Sequence, residues 1–220
     1  MKPIKISASI LSADLGNLLT ECQKVIEAGA DWIHMDVMDG HFVPNLTFGA
    51  PVVSSLKNRL SVPIDSHLMI NTPDQYIPEF SKAGTTYLSF HFEASLNPFQ
   101  TINLIRQNHC CPGMVIKPDT SEEKLKPFAK HLDYVLFMSV FPGFAGQSFM
   151  PEVLPKISRF KKWMEQEGLE LDIAVDGGIS TQTAPQVLEA GANILVAATA
   201  IFKSPDMKEA IQSLRGRGPR

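Results

Sequence analysis

Two strand-like runs each carry an imidazole and a carboxylate two residues apart: Ile33-His34-Met35-Asp36-Val37-Met38-Asp39-Gly40 and Asp65-Ser66-His67-Leu68-Met69. Side chains of an extended chain alternate between faces, so His34, Asp36 and Met38 share one face of the first run. By the same parity Asp65, His67 and Met69 share a face of the second. A third run, Ile173-Ala174-Val175-Asp176-Gly177-Gly178, ends in a carboxylate followed by a glycine pair. Taken singly, a strand histidine is ordinarily a satisfied core or surface residue, and a strand-end aspartate ordinarily caps the next helix. Four such residues at the same ends of successive strand segments would each need a separate excuse. Converged, they make a His₂Asp₂ set that suits Zn²⁺, Fe²⁺, Mn²⁺ or Co²⁺. The expected ligands of one ion per chain are His34, Asp36, His67 and Asp176. His91 and Glu93 are secondary candidates, and His41, His109 and His131 fall in loop or helix patterns that read as surface.

Glycine-rich loops supply a second signal. Pro142-Gly143-Phe144-Ala145-Gly146-Gln147, Gly177-Gly178 and Ala198-Thr199 each follow a strand-like run. Backbone N–H groups in such loops, helped by the start of a short extra helix, can hold a phosphate. Tight turns are the bland alternative. Met38, Met69 and Met138 also fall at strand ends, either as gap fillers or as an apolar, polarizable wall that offers no competing proton donor.

The elements that must position these groups follow from the hydrophobic pattern. Strand-like runs at 5–9, 32–37, 63–68, 87–92, 114–117, 134–139, 171–176 and 194–197 alternate with helical patterns at 15–27, 50–58, 73–82, 98–108, 122–130, 151–167, 181–189 and 206–214. Eight strand–helix units fill the 220 residues without remainder, which predicts an α/β fold: a single (β/α)₈ barrel over 1–220. Ala28-Gly29, Ala83-Gly84 and Ala190-Gly191 recur between a helix and a strand, where glycine suits the left-handed position past a helix end. A doubly wound open sheet is the alternative, weakened because Ser9-Ile10-Leu11-Ser12 stands where a G-x-G-x-x-G would follow the first strand. In a barrel the carboxyl ends of the strands form the active site, and the candidate ligands and loops all sit there.

Composition closes off other classes. Hydrophobic residues make up 44% and charged residues 20%, which excludes disorder, collagen and coiled coil. A formal net charge of −3 gives no basic face for nucleic acid, and Lys161-Lys162 reads as solvated helix surface. No run approaches the ~18 apolar residues of a membrane span, and Met1-Lys2-Pro3-Ile4-Lys5-Ile6 leads almost directly into a strand without room for a signal peptide, so a cytoplasmic protein is expected. Cys22, Cys110 and Cys111 lack metal or redox spacing and read as reduced thiols.

Together the motifs resemble the ribulose-phosphate 3-epimerase family. The resemblance rests on Ser9-Ile10-Leu11-Ser12-Ala13-Asp14, HMDVMDGHFVPNLTFG from His34 to Gly49, DSHLM from Asp65 to Met69, MSVFPGFAGQSF from Met138 to Phe149 and VDGGI from Val175 to Ile179. It runs from Ile6 to about Phe202, nearly the whole chain. It implies a (β/α)₈ barrel of the ribulose-phosphate-binding type that holds one divalent metal and interconverts D-ribulose 5-phosphate and D-xylulose 5-phosphate in the pentose phosphate pathway. His34, Asp36, His67 and Asp176 then match the metal ligands, and Asp36 and Asp176 the acid/base pair. Ser9, His67, Met38, Met69, Met138, Gly143, Phe144, Ala145, Gly146, Asp176, Gly177, Gly178, Ala198 and Thr199 are the expected substrate contacts. The chain departs from the pattern at Ala145, where the family usually has glycine, at Ala198-Thr199, usually Gly-Ser, and at Phe141, commonly polar. These changes touch phosphate affinity and sugar size rather than the chemistry.

The expected reaction removes the proton at carbon 3 to give an enediolate, with the metal as Lewis acid and one carboxyl on each face of the sugar. D-allulose-6-phosphate 3-epimerase, which shares the metal set and can carry alanine in the lid, is the alternative activity. A decarboxylase on this kind of barrel would want a lysine beside the carboxylates, and the H-x-D strand offers none. A non-catalytic sugar-phosphate-binding barrel would have lost a ligand or an acid/base residue, and all are present. A small-molecule ketose phosphate and a homo-oligomeric assembly are the expected partners, with neither nucleic acid nor membrane.

Overall fold

The computed structural model describes residues 2–216, so the expected barrel span of 1–220 extends past the described residues at both ends. Eight parallel strands close into a barrel in sequence order: β1 (Lys5–Ser9), β2 (Trp32–Met38), β3 (Ile64–Met69), β4 (Tyr87–His91), β5 (Cys111–Ile116), β6 (Tyr134–Met138), β7 (Asp172–Asp176) and β8 (Ile194–Ala197). Closure comes from β1 pairing with β8, with Lys5 opposite Ile194 and Ala8 opposite Ala197. Helices α1 (Leu18–Glu27), α2 (Ala50–Leu56), α3 (Ile77–Ala83), α4 (Pro98–Gln107), α5 (Leu154–Gln166), α6 (Ala184–Glu189), α7 (Thr199–Phe202) and α8 (Met207–Leu214) flank it. None of the helices among the described residues is long and apolar enough to cross a membrane.

Strand parity divides the interior into two layers. Ile33, Met35 and Val37 of β2, with Leu68, Phe90, Phe137 and Val175, belong to the large apolar cluster shared with the helices. The alternate residues, among them Trp32, Tyr134, Met138, Ala174 and Val196, form a smaller cluster inside the barrel. At its amino end Trp32 stacks on Tyr87 at 3.9 Å, and Tyr134 meets both rings edge-on at 6.0 Å. Gly113 on β5 makes room for that plug, because a Cβ there would stand 2.3 Å from the Tyr134 ring. The polar inward residues of β2 and β3 lie above it, brought side by side by the register that sets His34 opposite Asp65 and Asp36 opposite His67.

Three expectations about elements need correction, each for the same kind of reason. The pattern at 122–130 is not an α-helix but two 3₁₀ turns, Glu122–Lys124 and Lys126–His131. Pro127 has no N–H to donate and its ring would clash with the carbonyl of Glu123. Elsewhere a proline moves the helix start: α3, α5 and α6 begin at Ile77, Leu154 and Ala184, each one residue before Pro78, Pro155 or Pro185, rather than at 73, 151 and 181. The fifth strand begins at Cys111 rather than 114, since Pro112 and Gly113 disguise its first half. Gly29, Gly84 and Gly191 take positive φ past their helices, as the recurring Ala-Gly pattern predicts.

Candidate active site

At the carboxyl end of the barrel four side chains turn toward one point. His34 Nε2 lies 3.3 Å from Asp36 Oδ1 and 3.9 Å from Asp176 Oδ2. His67 Nδ1 lies 3.5 Å from the same Asp36 oxygen and 3.9 Å from the same Asp176 oxygen. One donor atom from each residue falls within 4.8 Å of all the others. Both histidines are fully buried, and His34 Nε2 and His67 Nδ1 have no hydrogen-bond partner. A buried ring nitrogen without a partner is costly. Two such nitrogens facing two carboxylate oxygens form the donor set that a divalent first-row metal satisfies. The residues present therefore fit such an ion, and the four brought together are the four expected from the sequence.

Three of the four side chains are held from behind. His34 Nδ1 is 2.7 Å from Asp65 Oδ2, and Asp65 Oδ1 accepts a 2.6 Å hydrogen bond from the Tyr134 hydroxyl. Ser9 Oγ donates to Asp36 Oδ2 at 2.6 Å. His67 Nε2 sits 2.9 Å from His91 Nε2, and His91 Nδ1 sits 3.3 Å from Glu93 Oε2. His91 and Glu93 thus stand behind the cluster rather than in it. Burial opposes charge on Asp36, but the neighbouring His34 and His67 outweigh it and hold the carboxyl far below the ordinary range. Asp176 moves the other way, pushed up to about 7 by burial and by the Asp36 carboxylate. Burial would lower His34, yet Asp36 and Asp65 raise it well above its usual value.

Above the cluster opens a cavity lined by residues of β1, β2, β3, β6, β7, β8 and the loops that follow them. Ser9, Met38, Met69, Met138, Gly143, Phe144, Ala145, Gly146, Asp176, Gly177, Gly178, Ala198 and Thr199 all line it. His67, also expected to touch substrate, does not; its two nitrogens face the carboxylates on one side and His91 on the other. The loops pack tightly. Gly178, at φ +61, leaves no space for a side chain, because a Cβ would lie 2.5 Å from the Phe149 nitrogen. Asn45 Nδ2 donates to the Gly143 carbonyl at 2.8 Å, and Gln147 Nε2 donates to the carbonyls of Phe141 and Phe144. Phe144 remains half exposed at the rim.

Sequence reasoning passed over Asp65 as a brace, Tyr134 below it, and Ser139 and Thr47. Ser139 Oγ donates to the carbonyls of Asp176 and Gly177 at 2.9 and 2.6 Å, anchoring the turn after β7. Thr47 accepts from Met38 N at 3.0 Å and donates to the Asp36 carbonyl. Asp65 was within reach, since it shares a face with His67; the others depend on pairing that one strand alone does not reveal.

The family model described as "Ribulose-phosphate 3 epimerase family" matches residues 5–202. The chain is 47% identical over 214 residues to the ribulose-phosphate 3-epimerase of Bacillus subtilis (strain 168), covering 97% of this chain and 99% of that protein. It is 42% identical over 216 residues to the ribulose-phosphate 3-epimerase of Escherichia coli (strain K12), covering 98% and 96%. Among solved structures, a 3-hexulose-6-phosphate synthase superposes with a TM-score of 0.71 at 17% identity, covering 98% of this chain and 100% of the other, a likeness of fold.

Proposed function

The chain belongs to the ribulose-phosphate 3-epimerase family and is an epimerase, and on that premise we propose that it interconverts D-ribulose 5-phosphate and D-xylulose 5-phosphate at carbon 3, with Asp36 and Asp176 as the acid/base pair. The observation that carries this reading is the meeting of those two carboxyls, from β2 and β7, at the floor of one cavity. Inversion at a carbon needs a proton taken from one face and returned to the other, so two proton carriers must flank the sugar. Strands β8 and β1 separate β7 from β2 around the barrel, which sets the carboxyls apart in direction while their oxygens stay close.

Their surroundings differ: His34, His67 and the Ser9 hydroxyl close in on Asp36, while Asp176 is the more exposed side chain, and each carboxyl serves one face of the sugar. Which acts first depends on the direction of reaction. The hydroxyl of Ser9 fixes the orientation of the Asp36 carboxylate. Met38, Met69 and Met138 wall the cavity with apolar, polarizable surface that keeps water and stray proton donors from the reacting carbon. Held by His34, Asp36, His67 and Asp176, one divalent ion of the Zn²⁺, Fe²⁺, Mn²⁺ or Co²⁺ kind supplies Lewis-acid stabilisation of the negative charge that develops on the ketose oxygens. Backbone N–H groups of the loops at 143–146, 177–178 and 198–199 are suited to the phosphate. The pentose phosphate pathway is the metabolic setting this reaction implies.

Coupled assays of the purified protein on ribulose 5-phosphate and allulose 6-phosphate, run side by side with elemental analysis, test the proposal. Faster turnover of the pentulose phosphate and about one transition metal per chain are the expected results. Preference for the hexulose phosphate, or full activity in a metal-free preparation, would overturn it.

A further inference from the structure

Resting on the reading of His67 as a metal ligand, we infer that Glu93 and His91 are positioning residues that decide which ring nitrogen of His67 carries its proton. His67 Nε2 and His91 Nε2 face each other at 2.9 Å, inside a fully buried pair of stacked rings. Two lone pairs at that distance repel and two N–H groups collide, so one ring donates and the other accepts. Glu93 settles which. A carboxylate only accepts, so its Oε2, 3.3 Å from His91 Nδ1, draws a proton to that nitrogen. His91 then has a lone pair on Nε2, takes the hydrogen bond from His67 Nε2–H, and leaves the His67 Nδ1 lone pair aimed at Asp36 and Asp176.

The opposing pull is visible on the other side. Asp36 and Asp176 lie 3.5 and 3.9 Å from His67 Nδ1, and without a metal they favour a proton there. That tautomer cannot ligate through Nδ1. Glu93 is fixed against it by the loop after β5: its Oε1 accepts from the Lys117 backbone N–H at 2.9 Å and from the Thr120 hydroxyl. The Phe42 ring covers His91 at 4.7 Å and helps keep water from breaking the chain of donors. His34 needs no such relay, since Asp65 reaches its Nδ1 directly.

Glu93→Gln is the discriminating change because it keeps shape while adding a donor. Lys117 N–H and Thr120 O–H require an acceptor at the old Oε1 position, so the new amide NH₂ faces His91 Nδ1 and reverses every hydrogen bond in the relay. Nitrogen-15 NMR of metal-free protein should find the His67 proton on Nε2 in the wild type and on Nδ1 in the variant. Zn²⁺ affinity, measured by competition with a chromophoric chelator, should fall about 10–100-fold. Thr120→Val, which loosens Glu93 but keeps its carboxylate, should leave the tautomer unchanged and the affinity within about threefold. A wild-type proton on His67 Nδ1 overturns the inference outright, as does a folded Glu93→Gln protein with unchanged tautomer and affinity. Wild-type protein that has the Nε2 proton yet binds no Zn²⁺ would support the relay while sinking the metal reading beneath it.

Discussion

Asp36 and Asp176 share a cluster but not an environment, and the difference sets what each substitution should do. Ser9 and both histidines surround Asp36, whereas Asp176 is the more open of the two, though both border the cavity. Asp176→Asn should lower kcat by about 10²–10⁴-fold, because an amide cannot shuttle a proton, with a smaller change in KM. Turnover assays and solvent deuterium incorporation at carbon 3 check this together, and wild-type turnover with metal bound would remove Asp176 from the acid/base pair. Ala198 presents the opposite case. Its φ of −112° lies outside the left-handed region that would demand glycine. Ala198→Gly should leave KM unchanged and cost about 0.4–1 kcal/mol of stability through the freer unfolded chain; a KM several-fold lower would show that the methyl crowds the phosphate. Of the four candidate ligands, His34, Asp36 and His67 were legible because period-2 alternation places H-x-D and D-x-H on one face whatever the partner strand, and Asp176 because it ends a strand-like run before a glycine pair. The role of His91 was not, since it depends on the register of β3 with β4, which sets His67 opposite Ser89.

At the level of elements, strand identity was easier to read than helix extent. All eight strands stand where apolar runs predict them, and the largest shift, at β5, comes from Pro112 and Gly113, residues that strands ordinarily avoid. Helix starts moved because Pro78, Pro155 and Pro185 each end the run before them and stand in the first turn of α3, α5 and α6. Loop behaviour lies beyond such patterns. The segment 142–149 is pinned at Gly143 by Asn45 and internally by Gln147, yet Phe141 and Phe144 remain about half exposed, at 48% and 56%. Phe144 lines the cavity, so a bound ligand would offer it a surface to pack against. Residues 142–149 should therefore close over a bound sugar phosphate, with Gly143 and Gly146, both at positive φ, absorbing the movement. Amide hydrogen exchange across the segment should slow at least several-fold when a non-reacting ketose phosphate analogue is added, and unchanged exchange at saturation would rule the lid out.

Across the whole molecule the two ends of the barrel do different work, which makes stability separable from chemistry. The carboxyl end holds the cluster and the cavity, while the amino end is laced by charges that join the chain's start to its finish. Arg215, after α8, donates to the carbonyls of Ile4 and Gly29 at 2.6 and 2.7 Å and pairs with Asp31 at 2.6 Å. Asp172, the first residue of β7, receives Lys2 and Lys5 at 2.7 Å each and Asn193 at 3.0 Å. Burial opposes its ionisation, but the three donors outweigh burial and hold its carboxyl below the usual range. Between that depressed value and the ordinary carboxylate value of about 3.9, the unfolded chain binds a proton that the native protein does not. Stability therefore rises with pH through the window, is fully present above it, and is lost as pH falls through the folded value. Wild type should exceed Asp172→Asn in stability at pH 7 by about 1 kcal/mol or less per ion pair, given the exposure of Lys2 and Lys5. Urea unfolding at a series of pH values should show that gap constant from pH 7 to about 5 and closing below about 4, while kcat at pH 7 stays the same in both proteins, since Asp172 lies at the end of the barrel away from the cavity. A gap that persists undiminished to pH 2 would mean that the aspartate stabilises the closure by shape and hydrogen bonding rather than by charge.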